Sequence, residues 1–263
     1  MFLDEIAIKK REDVERARAK EPLRELRARA LDAPPVRGFL RSLKGHAKPR
    51  VICEIKRASP SRGAINAGAD VTRRVRAYEA AGAAAVSVLT DSHYFGGSLA
   101  DLVAARQTCK LPLLRKDFTV DAYQIFEARA AGADAVLLIV AMLETGLLKR
   151  LRDTAVEAGL DALVEVHDER ELEVAIDLEA DFVGVNNRDL KTLQVSLDAS
   201  RRLLPCVPSR ALAVAESGIR TPAQVRELWR LGARAFLVGE ALMEQGEEKL
   251  PETLSALTEA LLP

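Results

Sequence analysis

Short runs of aliphatic residues recur along the chain and alternate with amphipathic stretches. The runs lie at 51–55, 84–89, 112–116, 133–140, 161–166, 181–186, 211–216 and 234–239. Runs this apolar are typical of parallel strands that are buried on both faces. Most of them begin about 20 to 30 residues apart, which leaves room for one helix between successive strands.

The stretches between the runs have helical periodicity, and several end in glycine just before the next strand. Such glycines fit the position after a helix C-terminus, where a left-handed backbone is needed. They are Gly82, Gly132, Gly159 and Gly232. Asp70 and Thr221, the latter followed by Pro222, mark two helix starts. Eight strand–helix units in series predict an α/β fold, a (β/α)8 TIM barrel, with a doubly wound open sheet as the alternative.

Residues 1–45 precede the first predicted strand and predict one or two additional helices, interrupted at Pro34 and Pro35. Periodicity alone does not decide whether this extension covers the bottom of the barrel or forms a lid over its catalytic mouth. No low-complexity linker divides the chain. We therefore expect one domain over 1–263, with the helical extension at 1–45 and the barrel at 50–263.

Charge and composition exclude several classes of function. The 39 basic and 39 acidic residues cancel, so there is no general electrostatic attraction for nucleic acid or anionic membranes. Three cysteines without CxxC spacing and three histidines indicate neither a disulfide framework nor a metal site. The charged residues at 1–30 lack the apolar core of a secretory signal, and the longest apolar run, 135–143, is too short to span a bilayer. We expect a cytoplasmic protein.

Charged residues stand at the ends of three predicted strands, where barrel enzymes place their active sites. Glu54 and Lys56 are two residues apart, so they face the same side of an extended chain. Lys116, if partly desolvated beside another cation, can be a proton donor or a Schiff-base nucleophile. Glu165 alternates with apolar neighbours and should face the barrel interior with partners or an altered pKa, as an acid or base opposite the lysines. His167 is expected to be a bystander.

The later strand ends predict groups that bind a substrate. Asn186 can orient a hydroxyl or a carboxylate, and Arg188 can bind a carboxylate through two hydrogen bonds. The loops after the seventh and eighth strands are the recurrent phosphate site of barrel enzymes. The residues there that offer backbone N–H groups or a hydroxyl are Ser217, Gly218, Gly239 and Glu240. Together they favour a phosphorylated ligand.

Seven motifs in chain order resemble the indole-3-glycerol phosphate synthases of tryptophan biosynthesis. They are EIKRASPSRG, VLTDSHYFGGS, LRKDF, LVEVHD, VNNRDL, AESGI and LVGEALM. The match covers essentially the whole chain, including the N-terminal extension. The resemblance implies a lyase that converts 1-(2-carboxyphenylamino)-1-deoxyribulose 5-phosphate to indole-3-glycerol phosphate, with loss of carbon dioxide and water and without a metal or organic cofactor.

The resemblance also implies roles for the matching residues. Lys116 would protonate the ribulose carbonyl oxygen during ring closure, with Glu165 as its partner carboxylate, and Lys56 would serve dehydration. Glu54 and Asn186 would complete the catalytic set. The residues implied in substrate binding are Ser59, Phe95, Phe118, Arg188 and Glu216. Those implied in phosphate binding are Lys56, Ser217, Gly218, Gly239 and the backbone of Glu240.

Three other functions stay open on the sequence. An aldolase could form a Schiff base with a phosphosugar through Lys116 or Lys56, and a non-catalytic barrel could merely bind a phosphosugar. The sister isomerase of the same pathway relies on a cysteine and an aspartate, but Cys53 lies within an apolar run and is expected to be a packed core thiol. For the synthase we expect a monomer whose partner is a small phosphorylated substrate.

Overall fold

The computed structural model describes residues 2–59, 63–64, 68 and 70–261, and at its centre lies a closed barrel of eight parallel strands. The strands are β1 Arg50–Ile55, β2 Ala85–Leu89, β3 Leu113–Lys116, β4 Ala135–Ile139, β5 Asp161–Val166, β6 Phe182–Asn186, β7 Leu212–Glu216 and β8 Ala235–Val238. Each strand pairs with its neighbours in sequence, and β8 pairs with β1. The predicted TIM barrel is confirmed. The open doubly wound sheet is wrong, because the barrel closes without a free edge.

Helices surround the barrel and precede it. They are α1 Phe2–Lys20, α2 Leu23–Asp32, α3 Phe39–Leu43, α4 Val71–Ala80, α5 Leu99–Thr108, α6 Ala122–Ala130, α7 Thr145–Glu157, α8 Glu169–Asp177, α9 Asp198–Leu203, α10 Pro222–Arg230, α11 Glu240–Met243 and α12 Leu250–Thr258. A small hairpin pairs Ala58–Ser59 with Gly63–Ala64 in the loop after β1. No helix in the described ranges is long and apolar enough to cross a bilayer.

The predicted helix boundaries have the expected chemistry. The Asp70 side chain accepts hydrogen bonds from the backbone N–H groups of Thr72 and Arg73 at the start of α4. Thr221 forms a reciprocal capping box with Gln224 at the start of α10. The four glycines predicted after helix C-termini all have positive φ, from 75° at Gly159 to 120° at Gly232. Local sequence therefore sets where these helices begin and end.

Apolar side chains fill two concentric layers. Inside the barrel, residues such as Ile52, Leu114 and Leu163 pack against one another. Between the strands and the surrounding helices lies a larger apolar layer that includes Val75 and Leu228. Because both faces of each strand are covered, the strands read as continuous apolar runs in the sequence.

The N-terminal extension reaches both ends of the barrel. At the bottom, α3 inserts Phe39 against the Phe182 ring, with centroids 6.0 Å apart, and the Leu40 N–H donates to the Asp161 carboxylate at 2.8 Å. At the mouth, Lys10 of α1 lies 2.7 Å from the carboxylate of Asp91, which follows β2. Different helices of the extension therefore contact the bottom and the mouth of the barrel.

Candidate active site

A cavity of about 380 Å³ opens at the C-terminal ends of the strands. Its apolar floor includes Leu137, Ile139 and Leu237. The predicted site residues that line it are Glu54, Lys56, Phe95, Lys116, Phe118, Glu165, Asn186, Arg188, Glu216, Ser217, Gly218, Gly239 and Glu240. The side chain of Ser59, also predicted, lies outside the described part of the structure. The strand ends thus bring together residues that are far apart in sequence.

Lys116 is held between two buried carboxylates. Its Nζ lies 3.1 Å from Oε2 of Glu165 and 3.4 Å from Oε2 of Glu216. These residues lie at the ends of β3 and β7 and one residue before the end of β5, alternate strands whose side chains enter the barrel at the same level. The ammonium side chain keeps 14% exposure towards the cavity, whereas the two carboxylates keep 1% each. Lys116 can therefore present a proton to a bound molecule.

The surroundings of Lys116 favour its charged form. Burial opposes the charge, but attraction to Glu165, Glu216 and Glu54 outweighs it and raises the pKa of Lys116 above its ordinary value. The close charged partners of Lys116 are carboxylates and not a second cation. A lysine that stays protonated suits proton donation and disfavours Schiff-base formation, which needs the neutral amine.

Glu165 has a cation on each side. Its Oε1 lies 3.2 Å from Nε2 of His167, on the side away from Lys116. Although burial by itself opposes ionisation, Lys116 and His167 hold the pKa of Glu165 well below its usual range. The expected inward orientation and charged partners are confirmed. His167, expected to be a bystander, directly contacts this carboxylate.

Glu216 has the opposite ionisation preference. Lys116 lies near Glu216 but is too poorly aligned to donate a hydrogen bond to its carboxylate. Neither carboxylate oxygen of Glu216 has a hydrogen-bond partner among the described residues. Burial, with the charges of Glu165 and Glu54, outweighs Lys116 and raises the pKa of Glu216 to about 8. Gly184 makes room for this side chain, since a Cβ there would lie 2.1 Å from its Oε1. Glu216 therefore holds a proton to higher pH than an ordinary glutamic acid.

The raised pKa of Glu216 predicts a pH-dependent stability. The folded state retains a proton that the unfolded chain loses near pH 4.5, so the stabilisation falls as pH rises and is gone above pH 8. We expect the free energy of unfolding to fall by roughly 2 kcal/mol more in wild type than in Glu216→Gln between pH 6 and pH 9. Urea unfolding at both pH values measures this. Glu252→Gln, at an exposed site on α12, is the control. If the free energy of unfolding changed equally with pH in wild type and Glu216→Gln, the raised pKa would not belong to Glu216.

A second charge cluster lies across the cavity near β1 and β8. Lys56 Nζ lies 3.3 Å from Oε1 of Glu54, which confirms the predicted pair, and 3.5 Å from Oε1 of Glu240. Arg188 Nη2 lies 2.7 Å from the same Glu240 oxygen. Gly239 leaves room for the Glu54 side chain, because a Cβ at Gly239 would lie 2.5 Å from Glu54 Oε1. The Glu240 carboxylate thus sits among the cations that a bound anion would use.

The loop after β7 has an unusual backbone. Ser217 and Gly218 both have left-handed φ values, 64° and 78°, and such a value is costly for the non-glycine Ser217. The Asn187 amide donates to the carbonyls of Glu216 at 3.0 Å and Ser217 at 3.1 Å, while its oxygen accepts from the Ser200 N–H. Asn187 therefore holds this loop in place.

Aromatic rings form one wall of the cavity. Phe95, in the loop after β2, and Phe118, just after β3, have ring centroids 6.1 Å apart. Tyr94 meets the edge of Phe118 at 6.4 Å. This wall can pack against a flat apolar ring beside the polar groups on β3 and β5.

Some residues of the site were not predicted from the sequence. Asn187 lies between the predicted residues Asn186 and Arg188, and Lys10 lies in a helix with many charges. Arg220 also lines the cavity, 3.5 Å from Oε2 of Glu240. The second asparagine directly after an apolar strand was a usable signal for Asn187. Lys10 had none, because its partners are distant in the sequence.

Comparison with known proteins identifies the family. The family model for indole-3-glycerol phosphate synthase matches residues 3–253. The chain belongs to the indole-3-glycerol phosphate synthase family. It is 51% identical over 245 residues to an indole-3-glycerol phosphate synthase of a Nocardioides species, covering 93% of this chain and 94% of the relative. Indole-3-glycerol phosphate synthase 1 of Streptomyces coelicolor is 48% identical over 247 residues, covering 94% and 91%.

Solved structures of lower identity share the fold. A tryptophan synthase α-subunit mutant from Pyrococcus furiosus superposes with a TM-score of 0.60 at 18% identity, covering 79% of this chain and 97% of that one. A thiamine phosphate pyrophosphorylase from the same organism gives 0.58 at 17%, covering 81% and 95%. These likenesses show the barrel alone.

Membership of the indole-3-glycerol phosphate synthase family makes the chain a carboxy-lyase of tryptophan biosynthesis. The aldolase and the non-catalytic barrel are not favoured. The Cys53 thiol is fully buried, and burial raises its pKa, so the expected role as a packed core thiol is consistent with its position. The synthase family therefore accounts for the fold, the strand-end motifs and the cavity together.

Proposed function

We propose that this chain converts 1-(2-carboxyphenylamino)-1-deoxyribulose 5-phosphate to indole-3-glycerol phosphate, carbon dioxide and water, with Lys116 as the general acid of ring closure. The observation that carries the assignment of Lys116 is its ammonium, held between Glu165 and Glu216 and facing the cavity. A group that protonates a ketone oxygen must be charged and within reach of the substrate, and Lys116 meets both requirements.

The substrate phosphate binds beside the loops after β7 and β8. Ser217 and Gly218 supply backbone N–H groups and a hydroxyl on one side, and Gly239 with the backbone of Glu240 supplies the other. Lys56 adds a positive charge. The Glu240 carboxylate, 3.5 Å from Lys56, gives up this cation to the arriving phosphate. Anchoring the phosphate fixes the position of the ribulose chain above Lys116.

The anthranilate ring lies against Phe95 and Phe118, and Arg188 binds its carboxylate. Ser59, in the loop after β1, contributes a further contact, and so does Glu216. The aromatic wall and the 380 Å³ cavity support this placement. It brings the carboxylate-bearing ring carbon towards the ketone carbon.

Ring closure then proceeds with Lys116 as the acid. The ring carbon attacks the ketone carbon while Lys116 transfers its proton to the carbonyl oxygen, so the oxygen becomes a hydroxyl and not an alkoxide. Loss of carbon dioxide leaves its bonding electrons to restore the aromatic ring. Glu165 keeps Lys116 oriented and charged before the transfer. General acid help of this kind contributes about 10² to 10⁴-fold.

Dehydration completes the reaction. The new hydroxyl leaves as water after protonation by Lys56, and Glu54 accepts the proton released as the indole double bond forms. Asn186 orients the leaving hydroxyl. Its side-chain oxygen accepts a hydrogen bond from the backbone N–H of Arg188 at 3.0 Å. Lys56 Nζ and Glu54 Oε1 lie 3.3 Å apart, which supports their action as acid and base in the same step.

We also propose that the enzyme works as a cytoplasmic monomer without metal or organic cofactor, its partner being the small phosphorylated substrate and neither nucleic acid nor a membrane. The described cysteines are all free, which is usual in a reducing compartment. The even charge balance supports the absence of a polyanionic partner.

Incubation of the full chain with the carboxyphenylamino-deoxyribulose phosphate tests the proposal. We expect indole fluorescence to rise with an equal amount of carbon dioxide released. Borohydride added during turnover is the control for the aldolase, and no lysine should gain mass. Absence of the indole product, or covalent trapping of substrate on Lys116 or Lys56, would refute the assignment.

A further inference from the structure

His167 bridges two carboxylates at the end of β5. Its Nε2 lies 3.2 Å from Oε1 of Glu165, and its Nδ1 lies 3.0 Å from Oε2 of Glu171. The same Glu171 oxygen accepts the backbone N–H of His167 at 2.8 Å. Nδ1 is hydrogen-bonded to Glu171, whereas Nε2 is too poorly aligned to hydrogen-bond Glu165 and contacts that carboxylate electrostatically. A ring placed between two carboxylates is favoured in its charged, imidazolium form.

Local structure fixes this arrangement. The Asp168 side chain caps α8 by accepting the Glu171 N–H at 2.9 Å. The cap places Glu171 in the first turn of α8, four residues after His167. His167 itself lies behind Glu165, with a side chain that is 12% exposed.

We propose that His167 is a positioning residue that remains an imidazolium throughout turnover and keeps Glu165 ionised when Lys116 gives up its proton. The inference rests on the proposed role of Lys116 as the acid. It adds a residue that acts on the substrate only through Glu165.

The charge balance gives the physical reason. When Lys116 loses its proton, Glu165 loses one of its two cations in a site where its side chain is 1% exposed. A buried carboxylate without a cation would take up the proton itself and compete with the substrate. Because His167 stays charged, Glu165 keeps one ion pair, and the proton goes to the substrate.

The charged groups around the ring support a persistent imidazolium. Burial opposes the charge, but Glu165 of β5 and Glu171 of α8 outweigh it and raise the pKa of His167 to about 10. Lys116 of β3 and Glu216 of β7 influence the ring through their contacts with Glu165. A histidine in this setting keeps its charge across the pH range in which an enzyme normally works.

Imidazole NMR titration of the intact protein tests the charge directly. The chain has three histidines, and the signals of the exposed His46 and His93 accompany that of His167. We expect His167 to remain protonated at pH 8 in wild type and to titrate at lower pH in Glu171→Gln. A His167 signal that titrates between pH 6 and pH 7 in wild type would overturn the proposal, whether or not the protein has synthase activity.

Kinetics of substituted proteins test the positioning role. We expect His167→Gln to lower kcat about tenfold with little change in KM. We also expect the low-pH limb of the kcat profile to move to higher pH by about one pH unit, because Glu165 loses a nearby cation. His167→Lys, which retains a cation, should recover part of the lost rate. His46→Gln is the matched control at an exposed site.

The NMR titration and the kinetic comparison together separate this inference from the proposed function. If wild type makes no indole product, the proposed function fails while the NMR result still stands. If wild type is active and His167→Gln folds by circular dichroism yet keeps the wild-type kcat and pH profile, the positioning role is wrong. A loss of kcat without a shifted pH limb, equal in His167→Gln and His167→Lys, would also overturn it, since a purely structural role gives that pattern.

Discussion

Replacing Lys116 by methionine is expected to lower kcat for indole formation by about 10² to 10⁴-fold, the usual contribution of a general acid. Methionine keeps most of the side-chain volume but removes the ammonium, whose Nζ lies 3.1 Å from Oε2 of Glu165 and which lines the cavity. Substrate binding should be largely retained, because the proposed phosphate contacts lie on the loops after β7 and β8. The loss should therefore appear in kcat and only weakly in KM.

Steady-state indole fluorescence measures this effect, with substrate binding followed separately by calorimetry. Lys110→Met is the matched control, since Lys110 is exposed and precedes β3 at the opposite end of the barrel. Near-normal turnover by Lys116→Met would remove Lys116 from the proposed mechanism. Circular dichroism of the variant distinguishes a chemical defect from a failure to fold.

Replacing Lys10 by methionine is expected to lower the free energy of unfolding by about 3 to 5 kcal/mol, as for other broken buried ion pairs. Lys10 is 6% exposed and lies 2.7 Å from Asp91 and 2.6 Å from Asp117. Burial opposes its charge, but Asp117 and Asp91 outweigh it and raise the pKa of Lys10. Without the ammonium, Asp117 keeps its ion pair with Arg115 at 3.3 Å, whereas the buried Asp91 has no other ion pair in the described part of the chain.

The neighbouring Lys9 offers a sharp control for the Lys10 variant. Its pair with Glu12, at 3.2 Å, is solvent-exposed, and exposed pairs contribute about 0 to 1 kcal/mol. Urea unfolding of Lys9→Met and Lys10→Met measures the difference. Equal stabilities of the two variants would show that α1 is not held to the barrel mouth through Lys10. The Lys10 variant should also weaken substrate binding, because Leu3 of the same helix lines the cavity.

The barrel and most of its site could be predicted from the sequence because each strand carries its own signals. The apolar run indicates a buried strand, and the polar residue after it indicates the mouth. Glu54, Lys116 and Glu165 each follow this rule on a different strand, and all three line one cavity. Closure of the eight units into a ring then brings them together without further information.

Residues that act through distant contacts could not be predicted. Lys10 lies in a helix with many charges and gains its role from Asp91 and Asp117. His167 follows a strand like any loop histidine, and only the position of Glu171 on the first turn of α8 gives its ring a second carboxylate. Such roles depend on which side chains meet in space.

The ionisation states of Glu165 and Glu216 also depend on contacts that the sequence does not show. Glu165 and Glu216 occupy equivalent strand ends and look alike in sequence, yet the pKa of one is lowered and that of the other raised. The difference arises because His167 adds a second cation to Glu165, whereas among the described residues Glu216 pairs with Lys116 alone, in poor alignment.

Periodicity, caps and strand-end residues by themselves determined the eight-unit barrel, the position of its mouth and the groups gathered there, because these signals are local and repeat in every unit. The tertiary structure alone decided that the extension reaches both ends of the barrel, that Lys10 is buried at the mouth and which carboxylate keeps its charge. Those outcomes depend on desolvation and on charge separations of a few ångströms between residues remote along the chain, and a linear pattern carries neither quantity.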